Sequence, residues 1–190
     1  MKLFDRATQG TTTLSVGDEA LIYVCGITPY DSAHLGHAFT FLTYDLLRRR
    51  LEDTGTRVRM ARNITDVDEP MYTKAAELGV HYLELAQTES AEFSHSMRTL
   101  NFIDPEVEPR PSEHIAAIVD SVQQLKKRGH TYEIDGDIYY DVSTFPEYGE
   151  ISGYSERLMA EFSSLRGGDP QRVGKRHTLR LIQQASDPLQ

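Results

Sequence analysis

The segment Leu21–His37, LIYVCGITPYDSAHLGH, restricts the fold more than any other part of the chain. Leu21 to Val24 is an apolar run of β-favouring residues with the length of a buried strand. Gly26 and Pro29 interrupt the pattern, and His34-Leu35-Gly36-His37 leads into a helical repeat. A strand, a Gly/Pro turn and a helix start, in that order, predict an α/β fold. In such a fold free backbone N–H groups and the helix dipole face an anion such as a phosphate. His34 and His37 stand three apart and fall on one helical face. Two imidazoles there can donate hydrogen bonds to phosphoryl oxygens as charge builds up in a transition state. Gly36 between them lets a base or ribose approach the backbone.

The flanking chain fits that reading. Phe39, Leu42, Leu46, Leu47 and Leu51 have helical spacing, with Gly55 as a stop, and Arg57–Ile64 reads as a second strand. Strand, helix and strand within about forty residues predict a right-handed, parallel βαβ unit. Ligands of parallel sheets bind beyond the strands' carboxyl ends, so the turn Asn63–Asp68 is expected beside the turn Cys25–Thr28. Asp66 and Asp68 fit either a helix cap and turn or a part in that site. Helices are predicted over Glu69–Leu78, Tyr82–Leu100 and Glu113–Arg128, the last opened by Ser112. Asn101–Pro111, with three prolines, reads as a loop, and Tyr132–Val142, split at Asp135-Gly136, as a β-hairpin. Phe145–Tyr154 reads as a loop, and Met1–Asp18 as a leader with a Thr-rich turn.

Composition narrows the partners. The 190 residues can bury a sizeable core, and no apolar run approaches membrane-spanning length, so no membrane partner and a cytoplasmic location are expected. The single cysteine excludes an intrachain disulfide and agrees with a reducing compartment. A formal net charge of −9 leans away from tRNA and towards small-molecule substrates. The basic clusters are Arg48-Arg49-Arg50, Lys126-Lys127-Arg128 and Arg172 through Arg180, and the first two are expected at helix C-termini, where cations complement the dipole.

HLGH in this setting resembles the HIGH signature of class I aminoacyl-tRNA synthetases. The longer stretch VCGITPYDSAHLGHA resembles the cysteine-activating members, cysteinyl-tRNA synthetase and, more closely, the mycothiol ligase family. NITDVDEP (Asn63–Pro70) resembles the N-[FV]-T-D-V-D-[DE] stretch of the same enzymes. RGGDP (Arg166–Pro170) resembles the ERGGDP signature of mycothiol ligases, with Leu165 in place of the glutamate, whereas EPRPSEHI (Glu108–Ile115) is closer to the synthetase version. The resemblance implies an α/β fold: the first half of a Rossmann-like, HIGH-type nucleotidyl-binding parallel sheet, with a helical and β-hairpin connective insertion. It implies a division into 1–75, the first half of the catalytic fold, 76–165, the insertion, and 166–190, the start of the return.

The resemblance also implies a chemistry: ATP activates L-cysteine to a cysteinyl-adenylate, which is transferred to the amine of a glucosaminyl-inositol. His34 and His37 are then the catalytic pair. Cys25, Gly26, Ile27, Thr28, Thr40, Asn63, Ile64 and Thr65 bind ATP and the adenylate. Cys25 is a zinc ligand, whose metal would select cysteine by taking its thiolate. The family's other zinc ligands and its KMSKS loop fall beyond Gln190, and Lys175-Arg176 matches neither. A partner chain supplying that half is therefore an expectation. The sequence leaves two other readings open: a catalytic fragment of cysteinyl-tRNA synthetase, and a non-catalytic nucleotide-binding paralogue or half of a split enzyme.

Overall fold

Alternation in two strands decides where the main core lies. In the computed structural model, which describes residues 1–134, 136–165 and 178–182, Arg57–Ile64 is a strand whose even positions, Val58, Met60, Arg62 and Ile64, are buried. Its neighbour Glu19–Ile27 buries Ala20, Val24 and Ile27. In chain order the elements are β1 (Lys2–Asp5), β2 (Gly10–Thr13), β3 (Glu19–Ile27), α1 (Leu35–Glu52), β4 (Arg57–Ile64), α2 (Glu69–Leu78), α3 (Tyr82–Thr99), α4 (Ile115–Lys127), β5 (Thr131–Ile134), β6 (Asp137–Asp141), α5 (Glu156–Leu165) and β7 (Thr178–Ile182). They divide into two compact units, one of Ser15–Ile115 and one of Met1–Leu14 with Ala116–Gln190.

In the Ser15–Ile115 unit, β3 and β4 pair in parallel from Glu19↔Arg57 to Ile27↔Ile64, as the sequence predicts, with a register shift between Val24 and Ile27. One core cluster joins Val24, Ile27, Phe41, Met60, Phe93, Met97 and Phe102, so α1 and α3 bury their apolar faces on this side of the sheet. A second holds Met71, Ala75, Leu85 and Ala86, where α2 meets α3. Burying a Phe, Leu or Met side chain contributes about 1.5–3 kcal/mol, so these stripes outweigh helix propensity.

The expected Asn101–Pro111 loop departs from prediction. Its residues 106–109 run along β4: Arg62 N–H donates to Val107 O at 3.0 Å, Ile64 N–H to Pro109 O at 3.0 Å, and Glu106 N–H to Met60 O at 3.0 Å. Ala61 and Val107 form a parallel bridge. Prolines disguised this segment, because an edge position needs few of its own donors. Ser112 does not open a helix. A 3-10 turn covers Pro111–Glu113 and α4 begins at Ile115.

The other unit starts with a correction. Residues 2–13 form not a leader but an antiparallel hairpin, Lys2↔Thr13 to Asp5↔Gly10. The Thr run is β-branched and suits a pleated surface, while the Asp5 carboxylate accepts from Ala7 N–H at 2.9 Å to close the turn. Arg6 Nη2 donates to Ser152 O at 2.9 Å. The predicted hairpin is present as β5 and β6, paired Thr131↔Tyr140 to Ile134↔Asp137, with β7 antiparallel on its other side. Among the described residues no helix is long and apolar enough to cross a membrane.

Candidate active site

The carboxyl ends of β3 and β4 are laced together by one side chain. Asn63 Oδ1 accepts from Gly26 N–H at 2.8 Å and from the Tyr23 hydroxyl at 2.9 Å, and its Nδ2 donates to Thr65 Oγ1 at 2.8 Å. Thr65 N–H donates to Ile27 O at 2.8 Å. The two strand ends predicted to be neighbours are thus joined through three hydrogen bonds, and the three made by the Asn63 amide fix its orientation. The approach is possible only because residue 26 has no side chain: a Cβ there would lie 1.5 Å from Asn63 O.

The expected residues around this seam contribute in different ways. Ile27 and Ile64 are buried, so their side chains belong to the core and only their backbones reach the rim. Gly26 N–H and Ile27 O are already bonded across the seam, where the sequence reading left them for a ligand. Thr28 is half-buried, and its carbonyl accepts from Tyr30 N–H at 2.9 Å. Thr40, exposed in the second turn of α1, donates its hydroxyl to Gly36 O at 3.0 Å and keeps its lone pairs outward.

His34 and His37 meet as predicted, and more closely than spacing alone implies. Their rings stack with centroids 4.0 Å apart and planes 23° from parallel. His34 is the N-cap of α1: its Nδ1 accepts from Gly36 N–H at 3.1 Å, while His37 Nδ1 accepts from His34 N–H at 3.3 Å. An imidazole nitrogen that accepts carries no proton, so each neutral ring carries its proton on Nε2, a donor available to a phosphoryl oxygen. Burial and then the neighbouring His34 hold the His37 imidazole below its ordinary pKa. The N–H groups of Gly36 and His34, at the helix start where free donors are expected to face an anion, are satisfied by the pair itself. Gly36 is also tight: a Cβ there would sit 2.8 Å from the His34 ring.

Behind the histidines lies a buried cation that sequence reasoning missed. Arg62 is 1% exposed, and its guanidinium lies 5.0, 4.9 and 5.6 Å from the ring centroids of Phe41, Phe93 and Phe102. Its Nε donates to Glu108 Oε1 at 2.9 Å and its Nη2 to the same oxygen. Phe93 in turn meets the His37 ring edge-on at 6.5 Å. The even-numbered register of β4 was the available signal, since it puts Arg62 on the side of Met60. Asp66 and Asp68 both follow the first of the two readings held open, a turn and a helix cap. Asp68 caps α2 by accepting from Glu69 N–H at 2.9 Å. Asp66, 1% exposed, accepts from the backbone N–H and hydroxyl of Ser112, which pins the 111–113 turn to the end of β4.

Cys25 is exposed at the end of β3, on the face opposite the core. Among the described residues no three His, Cys, Asp or Glu side chains are grouped to hold a metal ion. Among the described residues Cys25 therefore stands without the companion donors that a zinc site needs. The basic clusters at Arg48–Arg50 and Lys126–Arg128 do lie at the ends of α1 and α4. The RGGDP stretch and Lys175-Arg176 lie outside the described residues.

Residues 12–180 match the model of the family described as tRNA synthetases class I (C) catalytic domain. The L-cysteine:1D-myo-inositol 2-amino-2-deoxy-alpha-D-glucopyranoside ligase of Streptosporangium roseum is 41% identical over 179 residues, 94% of this chain and 44% of that protein. The enzyme of that name from Frankia casuarinae is 43% identical over 94% of this chain and 39% of its own length. The chain therefore spans less than half the length of these curated relatives. In fold it is similar to Mycobacterium tuberculosis methionyl-tRNA synthetase in complex with methionyl-adenylate, with a TM-score of 0.58 and 14% identity over 77% of this chain and 35% of that one.

Proposed function

Because the chain belongs to the class I (C) tRNA synthetase catalytic-domain family, we propose that it forms the nucleotide-binding half of an ATP-dependent cysteine ligase. The cysteine carboxylate attacks the α-phosphorus of ATP to give cysteinyl-adenylate and pyrophosphate. The amine of an amino-sugar–inositol then attacks the acyl carbon, forming an amide, and AMP leaves. The names of the two ligases above support this substrate set. So does the net charge of −9, which favours a small amine over tRNA as acceptor. A reducing cytoplasm is the compartment that keeps the single thiol free.

The observation that carries the reading is the stacked histidine pair, because both Nδ1 atoms are committed to backbone N–H groups. The Nε2–H groups of His34 and His37 can then hold phosphoryl oxygens without first being oriented. That is the preorganisation an in-line displacement needs. Thr40, one turn on, and Thr28 offer further hydroxyls to the nucleotide. Asn63 and Thr65 keep the two strand ends at the separation the adenylate would bridge, with Gly26 and Ile27 as the backbone of that seam and Cys25 on its rim.

Titration calorimetry with a sulfamoyl isostere of cysteinyl-adenylate tests this. The chain is expected to bind it, and His37→Ala to weaken binding about tenfold, the cost of one lost charge-assisted hydrogen bond of roughly 1.4 kcal/mol. Equal affinity for the seryl analogue counts against cysteine as substrate. Binding unchanged in both His34→Ala and His37→Ala overturns the site.

A further inference from the structure

Stability alone does not account for Arg62. Its side chain is 1% exposed, and among the described residues its ion-pair partner is Glu108, itself partly exposed. Its Nη1 is buried and makes no hydrogen bond among them. A buried arginine with a donor left over is a weak stabiliser, and an apolar side chain of similar volume generally serves as well or better. What the guanidinium offers instead is a flat plate held in one place. Nε and Nη2 are both tied to Glu108 Oε1, so the plate cannot turn in its cage. It presses on the Phe41 and Phe93 rings at 5.0 and 4.9 Å from their centroids.

Phe93 passes that constraint on. Braced by Phe41 at 5.4 Å, it meets the His37 ring at 6.5 Å with 79° between the planes. His37 is thereby held on two sides, stacked on His34 at 4.0 Å and set against Phe93. Its own hydrogen bond, Nδ1 accepting from His34 N–H at 3.3 Å, is long and holds the ring only loosely. Half a turn about the Cβ–Cγ bond would exchange Nδ1 for a carbon and carry Nε2 off its aim. A fixed wall beside the ring resists that turn. The titratable groups these contacts set around the ring are His34 on its own helix and, behind Phe93, the Arg62–Glu108 pair. Burial, to which Phe93 contributes, and then His34 keep the imidazole below its ordinary pKa, which favours the neutral ring that the Nδ1 contact requires.

We propose that Arg62 is a positioning residue for the phosphoryl chemistry: acting through Phe93, it braces His37 in the orientation and tautomer that present Nε2–H to a phosphoryl oxygen. The proposal rests on the nucleotide reading for what His37 grips, but not for the brace, which stands without a ligand. β4 then serves the site from both faces. Asn63 joins the strand ends on one, and Arg62 sets the histidine from the other.

Arg62→Met tests this in the full 190-residue chain. Methionine keeps the volume and suits an aromatic cage, but its flexible stem holds no fixed plane. Phe93→Leu, which leaves the Arg62–Glu108 pair in place, is the second variant, and thermal melting shows which of the two are folded. Nitrogen NMR of the imidazoles at neutral pH is expected to show His37 as one tautomer, protonated on Nε2, in the unaltered chain. In either variant it is expected to show an average of both tautomers, with the His37 titration moved up towards that of a free imidazole. Affinity for the sulfamoyl adenylate isostere is expected to fall about fivefold, less than for His37→Ala. An unaltered chain whose His37 already averages two tautomers overturns the proposal, and so does a folded variant whose His37 keeps its tautomer and titration. Isostere binding that His37→Ala weakens but both folded variants leave unchanged overturns it as well. An altered His37 in a chain that does not bind the isostere upholds the brace and counts against the nucleotide reading instead.

Discussion

Gly26 and the two histidines are the residues on which the site's geometry turns. A methyl group at position 26 would enter the carbonyl of Asn63, and backbone cannot yield as a side-chain tip would. Gly26→Ala is therefore expected to destabilise the chain by about 3 kcal/mol, the upper end of ordinary overpacking, read from a urea denaturation curve. His34→Ala removes an N-cap and should cost about 1 kcal/mol in the same measurement. The His37 pKa is lowered, so the unfolded chain takes up its proton first as the solution is acidified. The stabilisation is complete above about pH 6.5 and fades as pH falls from there towards the folded value. A histidine C2-proton titration by NMR should place His37 below an unperturbed imidazole. Much of this site was legible in the sequence, because the HLGH spacing fixes which ring meets which and the Asn63 stretch ends a strand. What spacing could not give was the direction of the Nδ1 atoms, since that depends on which backbone groups are left unpaired after the helix forms.

Among the elements, β4 carries the most. On one side it holds β3, and on the other it takes residues 106–109, while its Arg62 occupies a cage of three phenylalanine rings. Removing Glu108 would leave that cation buried without its carboxylate. Glu108→Ala should thus cost about 3 kcal/mol, the lower end for a broken buried pair because Glu108 is partly exposed. Glu108→Ala combined with Arg62→Met should recover most of the loss, a double-mutant comparison by thermal melting. Glu106 adds a pH dependence of its own. Burial pushes its carboxyl up, but the N–H of Met60, its own N–H and the Arg48 guanidinium outweigh burial and hold it below the usual glutamate value. Its stabilisation is present above about pH 4.5 and is lost as pH falls through the lowered value. The extended segment at 106–109 was hidden in the sequence by three prolines. Its pairing depends on which carbonyls face β4, and residue types do not record that.

At the scale of the molecule, the charge of −9 predicts weak attraction to polyanions. In a gel-shift titration at physiological salt, tRNA is expected to leave the chain unshifted at concentrations where the adenylate isostere saturates it. The βαβ order and the helix positions were readable because apolar periodicity reports burial directly. The pairing of residues 2–13 was not, because a short hairpin of threonines carries little hydrophobic pattern. The clasp between Arg62 and Glu108 joins positions 46 residues apart in the chain. Everything between them, α2 and α3 included, is a loop that must be gathered in before β4 gains its second neighbour. Closing it early costs entropy with no contacts yet won, so the sheet's far edge is expected to be a late event on a slow folding path. A nick between α2 and α3 would lengthen that wait far more than it would loosen the finished molecule.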